Sequence, residues 1–377
     1  MPLTIGVPRE SDPYETRVAL TPDIAGKLIQ AGHTVLVESK AGAPSFNSDA
    51  DFEAAGATIT DRNAAFSAQV VAVLNPPTPT DTLKMPAGTT LIGMLKPLDD
   101  LDAVQRLAAQ GVTSLSMELV PRITRAQRMD ALSAMSAVGG YQAVLIAARA
   151  LPKFFPLLTT AAGTIRPAKV LILGAGVSGL QAIATARRLG AVVSAYDIRP
   201  AVKEEVQSLG AKFVELDLET ADAAASSGYA KALDEDRSRR QLELLKPHIA
   251  QSDVVIATAL IPGRPAPLLI TAEAVEAMTP GSVIVDLAAP NGGNCALTEP
   301  GEAVLRHGVQ IRGVLNLPAE MPLHASQMYA RTLQAALNEL APEGDLHLDL
   351  ESEIIGAMCV THAGEIVHER VKGKLGG

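Results

Sequence analysis

Val170-Leu-Ile-Leu-Gly-Ala-Gly-Val-Ser-Gly-Leu180 decides the fold. Residues 170–173 are apolar without alternation, which reads as a strand buried on both faces. Gly174, Gly176 and Gly179 follow at G-x-G-x-x-G spacing, and a helical pattern covers 180–189 before Gly190. A second apolar run, 191–196, ends on Asp197. Each part has its own task toward a dinucleotide. Gly174 permits a tight turn, Gly176 lets the backbone approach a pyrophosphate, and Gly179 lets the helix pack close on the strand. The helix N-terminus offers N–H groups and partial positive charge to the phosphates. Asp197 stands where an acid bonds the adenosine ribose hydroxyls. Strand, glycines, helix, second strand and acid in this order predict a dinucleotide site. A glycine-rich turn that merely packs a helix on a sheet is the alternative. Asp197 favours NAD over NADP, because a carboxylate repels a 2′-phosphate, whereas the nearby Arg199 is able to accept one.

Working outward, strands over 212–216, 254–257, 282–287 and 310–314 make six with the first two, the count of a full doubly wound fold. On the N-terminal side, strands at 3–8, 33–38, 57–59, 70–74, 90–95 and 113–117 alternate with helices near 22–32, 49–55, 62–68 and 100–110. That alternation means a parallel sheet covered on both faces. Thr21 and Pro22 are an N-cap and a first helical position. Residues 127–151 read as one long bridging helix, weakened at Gly139-Gly140, and 159–167 as a loop leading into the glycine motif. After Leu317, a helix over 325–340 and short strands over 345–351, 354–360 and 365–371 predict a tail that returns to the first domain. The expected fold class is therefore α/β: two doubly wound domains, the second a Rossmann dinucleotide-binding fold, with a cleft between them. The N-terminal domain spans 1–132 and is completed by 315–377; the dinucleotide domain spans 133–314. The polar segment 221–240 breaks the rhythm and reads as a mobile loop.

At 377 residues and 47% hydrophobic content two cores are affordable, and with no Trp and 3% aromatics they must be aliphatic. A net charge of −9 disfavours nucleic acid and anionic lipid as partners. Cys295 and Cys359 show neither metal-ligand spacing nor a disulfide framework, so no metal site is predicted and a reducing compartment is expected. No apolar run is read as reaching the roughly 18 residues of a bilayer span, and the N-terminus lacks a signal pattern. A soluble, cytoplasmic chain is expected.

Residues 122–130, Arg-Ile-Thr-Arg-Ala-Gln-Arg-Met-Asp, concentrate cations, an amide and an acid. On a helix Arg122 shares a face with Arg125, and Gln127 with Asp130. At a domain junction they would point into the cleft; a solvated helix start is the plainer reading. Residues 259–263 follow a strand end, where a small residue lets a nicotinamide ribose pass, or where a Pro-Gly turn simply closes. Gly292-Gly293, after the strand ending near Asp286, suggests close backbone approach. Tyr229, after Gly228, is a lid residue or ordinary surface packing. Hydride transfer needs no protein nucleophile; the protein holds donor and acceptor in a dry site.

Arg122–Asp130, the glycine turn 174–179, 258–263 and 286–294, with Ile5-Gly-Val-Pro-Arg-Glu10 and Arg17-Val-Ala-Leu-Thr-Pro22, together resemble the NAD(H)-binding alpha subunits of proton-translocating NAD(P) transhydrogenases. Alanine dehydrogenases are the next relatives. The resemblance implies that Gln127 orients the dihydronicotinamide, Arg122 holds the pyrophosphate or ring end, and Asp130 and Ser133 fix their loop. It places Val177 at the pyrophosphate, Asp197, Ile198 and Arg199 at the adenosine ribose, and Leu260 beside the nicotinamide. Gly228 and Tyr229 match a loop that closes on NAD(H), with Gln241 near its end. It further implies a homodimer, direct hydride transfer to NADP(H) held on a partner beta subunit, and membrane-spanning subunits that couple the transfer to proton movement. The chain would then sit on the cytoplasmic face of the inner membrane. The alternative is an alanine dehydrogenase-like oxidoreductase. Against it, the position of the dehydrogenases' substrate lysine looks like Val73, their catalytic histidine like Met94 or Lys96, and their loop acid like Pro290; Arg17 alone matches.

Overall fold

The computed structural model describes residues 2–217, 227–261, 263–342 and 344–376, those of 227–235 as backbone only. The chain divides into two compact units, Met1–Met135 with Pro318–Gly377, and Ser136–Leu317.

The second unit is built on a sheet whose spatial order is Lys212–Phe213, Val192–Tyr196, Lys169–Leu173, Val254–Ala257, Val283–Asp286, Val309–Gly313 and Ala303–Arg306. All but the last run parallel; Val192 pairs with Lys169, and Val254 with Val170. Strand order therefore reverses beside Lys169–Leu173, the switch point at which such sheets open a crevice. Alternate residues feed two cores. Val170, Ile172, Val193, Val254, Ile256, Val283 and Val285 face Ala182, Ile183 and Ala186 of helix Val177–Arg188, and Ala143, Val144 and Ala147 of helix Ala131–Ala150. Leu171, Leu173, Val255 and Ile284 face Leu245 and Ile249 of helix Ser227–Ala250. Both faces being covered explains the unbroken apolar runs.

Several expectations are corrected here. The sheet has a seventh strand, Ala303–Arg306, joined to Val309–Gly313 through His307 and Gly308, both at positive φ. Those angles make the two-residue turn that matches strand twist. Residues 159–167 are not simply a loop: Leu158–Thr160 and Gly163–Ile165 pair as an antiparallel hairpin. The segment 221–240 is not loop throughout, since helix Ser227–Ala250 occupies its second half; residues 221–226 lie outside the described residues. The glycine-turn helix begins at Val177 rather than at 180. One helix is also long and apolar enough to cross a membrane, Ala131–Ala150, contrary to the reading that no such run exists. Its small residues carry that composition, and packing accounts for it. A Cβ on Gly140 would lie 2.1 Å from the Ser178 carbonyl oxygen, so two helices meet there at a distance only glycine allows.

The first unit holds an eight-stranded sheet in the order Glu365–Ile366, Cys359–His362, Thr113–Ser116, Thr90–Gly93, Val70–Ala72, Thr4–Val7, Thr34–Glu38 and Thr58–Thr60. The last six are parallel. The tail joins this sheet antiparallel, Cys359 opposite Leu115, and turns back through Ala363-Gly364. It does so with fewer strands than expected. Residues 345–351 form none, Ile355–Met358 is a helical turn before Cys359–His362, and Glu369–Leu375 is a helix.

Candidate functional site

Within the second unit the three glycines do three different things. Gly174 has φ +98°, and a Cβ there would sit 2.7 Å from the Thr258 hydroxyl. Gly179 would bring a Cβ within 1.9 Å of the Gly174 carbonyl oxygen, so its absence lets helix Val177–Arg188 sit directly on the turn. Beside Gly176 no protein atom lies within 4 Å of the Cβ position. A cradle of bare backbone thus faces open space at a helix N-terminus, which suits a phosphate.

Asp197 closes one side. Its carboxylate accepts the Ala175 N–H at 2.8 Å, the Arg199 N–H at 2.8 Å and the Arg199 guanidinium at 3.0 Å. Burial alone would raise this carboxyl, but the Arg199 side chain and the two backbone donors hold it below its ordinary value. Arg199 is in turn occupied by the acid, which weakens its claim on a 2′-phosphate. Val177, Ile198, Leu260 and Ile261 are exposed aliphatics at these strand ends, in a unit whose other large aliphatics are mostly buried. They offer flat apolar surface to rings. Gly228 and Tyr229 fall in the first turn of helix Ser227–Ala250, where side chains are outside the described residues. Gln241 lies on the same helix, one turn before Leu245.

Two buried residues pin the loops at the ends of Val254–Ala257 and Val283–Asp286. Asp286 accepts from the N–H groups of Ala288, Asn294 and Cys295 and from the Thr298 hydroxyl. Burial raises its pKa against these bonds. Asn294 accepts the Ala259 N–H and donates to the Ala259 and Pro267 carbonyls. Its amide joins the 259–263 loop to the Gly292-Gly293 loop. Sequence reasoning passed over this residue as a site element; the signal was an Asn directly after two glycines at positive φ. Pro290 sits inside the 3₁₀ turn Ala289–Asn291, where its missing N–H is tolerated. Asn294→Ala strips three partly buried backbone groups of their partner and should lower unfolding free energy by about 2 kcal/mol. Urea unfolding checks it, and an unchanged midpoint would contradict it.

In the first unit, Arg122 stands before the 3₁₀ helix Thr124–Met129 and not on it, so it does not share a helical face with Arg125. The expected long helix is likewise interrupted. Asp130 leaves helical geometry, and its carboxylate accepts the N–H and hydroxyl of Ser133 at 2.8 and 2.6 Å, starting helix Ala131–Ala150 afresh. Arg122 and Gln127 are exposed, held on this capped segment. Arg17 is buried and closed. Its guanidinium donates to both Glu15 oxygens, at 2.7 and 2.5 Å, and to the Met135 sulfur at 3.1 Å. Burial would raise Glu15, but hydrogen bonds and charge from Arg17 bring it below its ordinary value.

Glu10 lies close by, accepting the Leu74 and Asn75 N–H groups. Burial, with the Glu15 charge adding to it, pushes Glu10 from 4.5 up to about 7. Between those two values the folded chain holds a proton that the unfolded chain releases. The stability this group lends is complete below 4.5 and is lost as pH rises through about 7. The melting temperature of Glu10→Gln should therefore fall less between about pH 5 and pH 8 than that of the wild type. Parallel melting curves across that range would count against it.

Two family models cover most of the chain: "Alanine dehydrogenase/PNT, N-terminal domain" over residues 6–139 and "Alanine dehydrogenase/PNT, C-terminal domain" over 143–369. The chain belongs to the alanine dehydrogenase/PNT family. Among relatives of this family, an NAD(P) transhydrogenase alpha-subunit polypeptide of Rhodospirillum rubrum is 44% identical, over 99% of this chain and 100% of that one. A transhydrogenase structure from Sinorhizobium meliloti superposes with a TM-score of 0.88 at 42% identity, covering 97% of this chain and 100% of that one. An L-alanine dehydrogenase structure gives 0.83 at 26% identity, covering 99% of each. The alanine dehydrogenase/PNT models meet between 139 and 143, inside helix Ala131–Ala150 and close to its approach to Ser178.

Proposed function

We propose that this chain is the NAD(H)-binding alpha subunit of a proton-translocating NAD(P) transhydrogenase, a homodimer that works with an NADP(H)-binding beta subunit and membrane-spanning subunits. The observation that carries this reading is the Arg17–Glu15 pair. An arginine meant to hold a keto acid needs a free guanidinium, and here the Nε–Nη2 edge is spent on the buried Glu15 carboxylate while Nη1 donates to the Met135 sulfur. Domain boundaries near 132 and 315 go with this reading.

The nicotinamide supplies the hydride when bound. The chain's own residues bind and orient it: Gly174, Gly176, Val177 and Gly179 at the pyrophosphate, Asp197 with Ile198 and Arg199 at the adenosine ribose, and Leu260 at the nicotinamide side. Gly228, Tyr229 and Gln241 close over it. Gln127 sets the ring's angle toward the NADP(H) partner and Arg122 holds the pyrophosphate or ring end, with Asp130 and Ser133 keeping their segment in place. No acid or base of this chain would be needed, because a direct hydride transfer between nicotinamides involves no proton at a protein atom. The hairpin Leu158–Thr160/Gly163–Ile165 suits the proposed dimer. A two-stranded ribbon is marginal alone in water, and Phe154, Leu157 and Ile165 around it are exposed. Docking through its partner subunits would hold the chain at the cytoplasmic face of the inner membrane.

Mixing purified chain with membrane and NADP(H)-binding partner subunits should restore reduction of an NAD analogue by NADPH. Alanine with NAD⁺ should give no NADH. Silence with competent partners, or brisk alanine oxidation, overturns the proposal, the second in favour of a dehydrogenase.

A further inference from the structure

A recess of about 290 Å³ lies in the first unit, between the 3₁₀ helix Thr124–Met129 and helix Pro322–Leu340. Arg125, Arg128 and Met129 line it from one side, and Arg331, Gln334, Ala335, Asn338 and Glu339 from the other. The second group repeats at helical spacing and forms one stripe. Three guanidinium groups thus share one recess with a single carboxylate. That carboxylate is loosely engaged: Arg125 reaches Glu339 at 3.5 Å with its own side chain 64% exposed, a solvent-screened and weak pair. The remaining charge is about two positive units, concentrated in a chain whose net charge is −9. The fold itself has no need of three arginines converging here, since like charges at close range destabilise it.

We propose that this recess binds a compact multivalent oxyanion of the phosphate or pyrophosphate class. Guanidinium forks match phosphate oxygens two at a time, and the Gln334 and Asn338 amides add donors of the same reach. The lining holds no aromatic wall for a base or a sugar ring, and the volume is at the lower end for ligand pockets. A recess lined by arginines from two elements suits a group with several oxygens. A single acidic side chain from a docking protein would use one fork and leave two unserved. Arg125 and Arg128 bracket Gln127 on the same short segment, so an occupant would also hold that segment still.

The test is calorimetric titration of the full chain with sodium pyrophosphate, at fixed ionic strength and with saturating NADH. Hydrogen exchange in the same samples locates the contact. Binding below about 1 mM, with slowed exchange at 124–129 and 331–339, is expected. Arg128→Gln and Arg331→Gln should each weaken it about tenfold while leaving NADH affinity unchanged. Weakening of NADH binding by pyrophosphate, protection at 174–179 instead, or variants that bind as the wild type does, would each overturn the site. So would equal binding of chloride, or preference for a glutamate-rich peptide over pyrophosphate. None of these outcomes depends on hydride transfer, so the site can fail while the proposed function stands, and the reverse.

Discussion

Gly176→Ala should fold and melt within about 2 °C of the wild type and bind NADH about 100-fold more weakly, a loss near 2.7 kcal/mol. The two halves of this expectation have separate causes. Gly176 has φ −78° and ψ −168°, backbone that alanine adopts freely. Its added Cβ would meet no protein atom within 4 Å. Substituting glycine at a compatible site usually stabilises by several tenths of a kcal/mol through the unfolded chain, and losing glycine at an N-cap costs about as much. The fold therefore registers little. On the proposed function the methyl would instead fill the space through which the pyrophosphate approaches the turn, and would push the phosphates away from the helix N–H groups. Gly179→Ala is the contrasting control. Its methyl would fall 1.9 Å from the Gly174 carbonyl oxygen, so helix and turn must separate and the whole unit should lose stability. Differential scanning and calorimetric NADH titration distinguish the pair. NADH affinity within threefold of wild type for Gly176→Ala would remove the turn from the binding site.

That contrast also shows what could be read in advance. The roles of the three glycines follow from spacing alone, because G-x-G-x-x-G after a buried strand leaves few backbone solutions. The parallel strands were legible for the same reason: a run such as 254–257, apolar at every position, has to be covered on both faces. The tail was less legible. In 345–371 short apolar runs fit strand or helix equally, and tertiary pairing of Cys359 with Leu115 decided the outcome. The Ala303–Arg306 strand lies at a sheet edge and is only four residues long; three of them are apolar but the strand is largely exposed, so it carried no long buried run, though His307-Gly308 marked its turn. Over 127–151 the sequence pointed to one continuous helix. A side-chain bond, Asp130 to Ser133, broke it instead, and capping competes with helix propagation in a way composition does not display. Asn294 and the Arg17–Glu15 pair belong to a third class. Both depend on which polar groups are buried together, which no linear spacing reveals.

Gln127→Asn should slow hydride transfer about 100-fold in the reconstituted complex while NADH affinity stays within about tenfold. On the proposed function, Gln127 contributes through where it puts the ring and not through how tightly the dinucleotide is held. Asparagine keeps the amide and withdraws it by one methylene, roughly 1.5 Å, a displacement of the size that costs two orders of magnitude when reacting atoms must meet near 3–3.5 Å. The support for Gln127 is rigid enough to make that displacement count. The residue sits on a short 3₁₀ segment whose Ala126 and Met129 are buried and whose end is fixed by the Asp130–Ser133 bonds. Its own side chain is exposed, so shortening it leaves no cavity and the melting temperature should not move. On the proposed function most of the binding energy for NADH would come from the glycine turn and Asp197, which the substitution does not touch. Stopped-flow transfer with saturating NADH isolates the rate from the affinity. A variant with normal transfer and collapsed affinity would make Gln127 a binding residue, and the claim that this chain works by holding a ring at a set angle would fall with it.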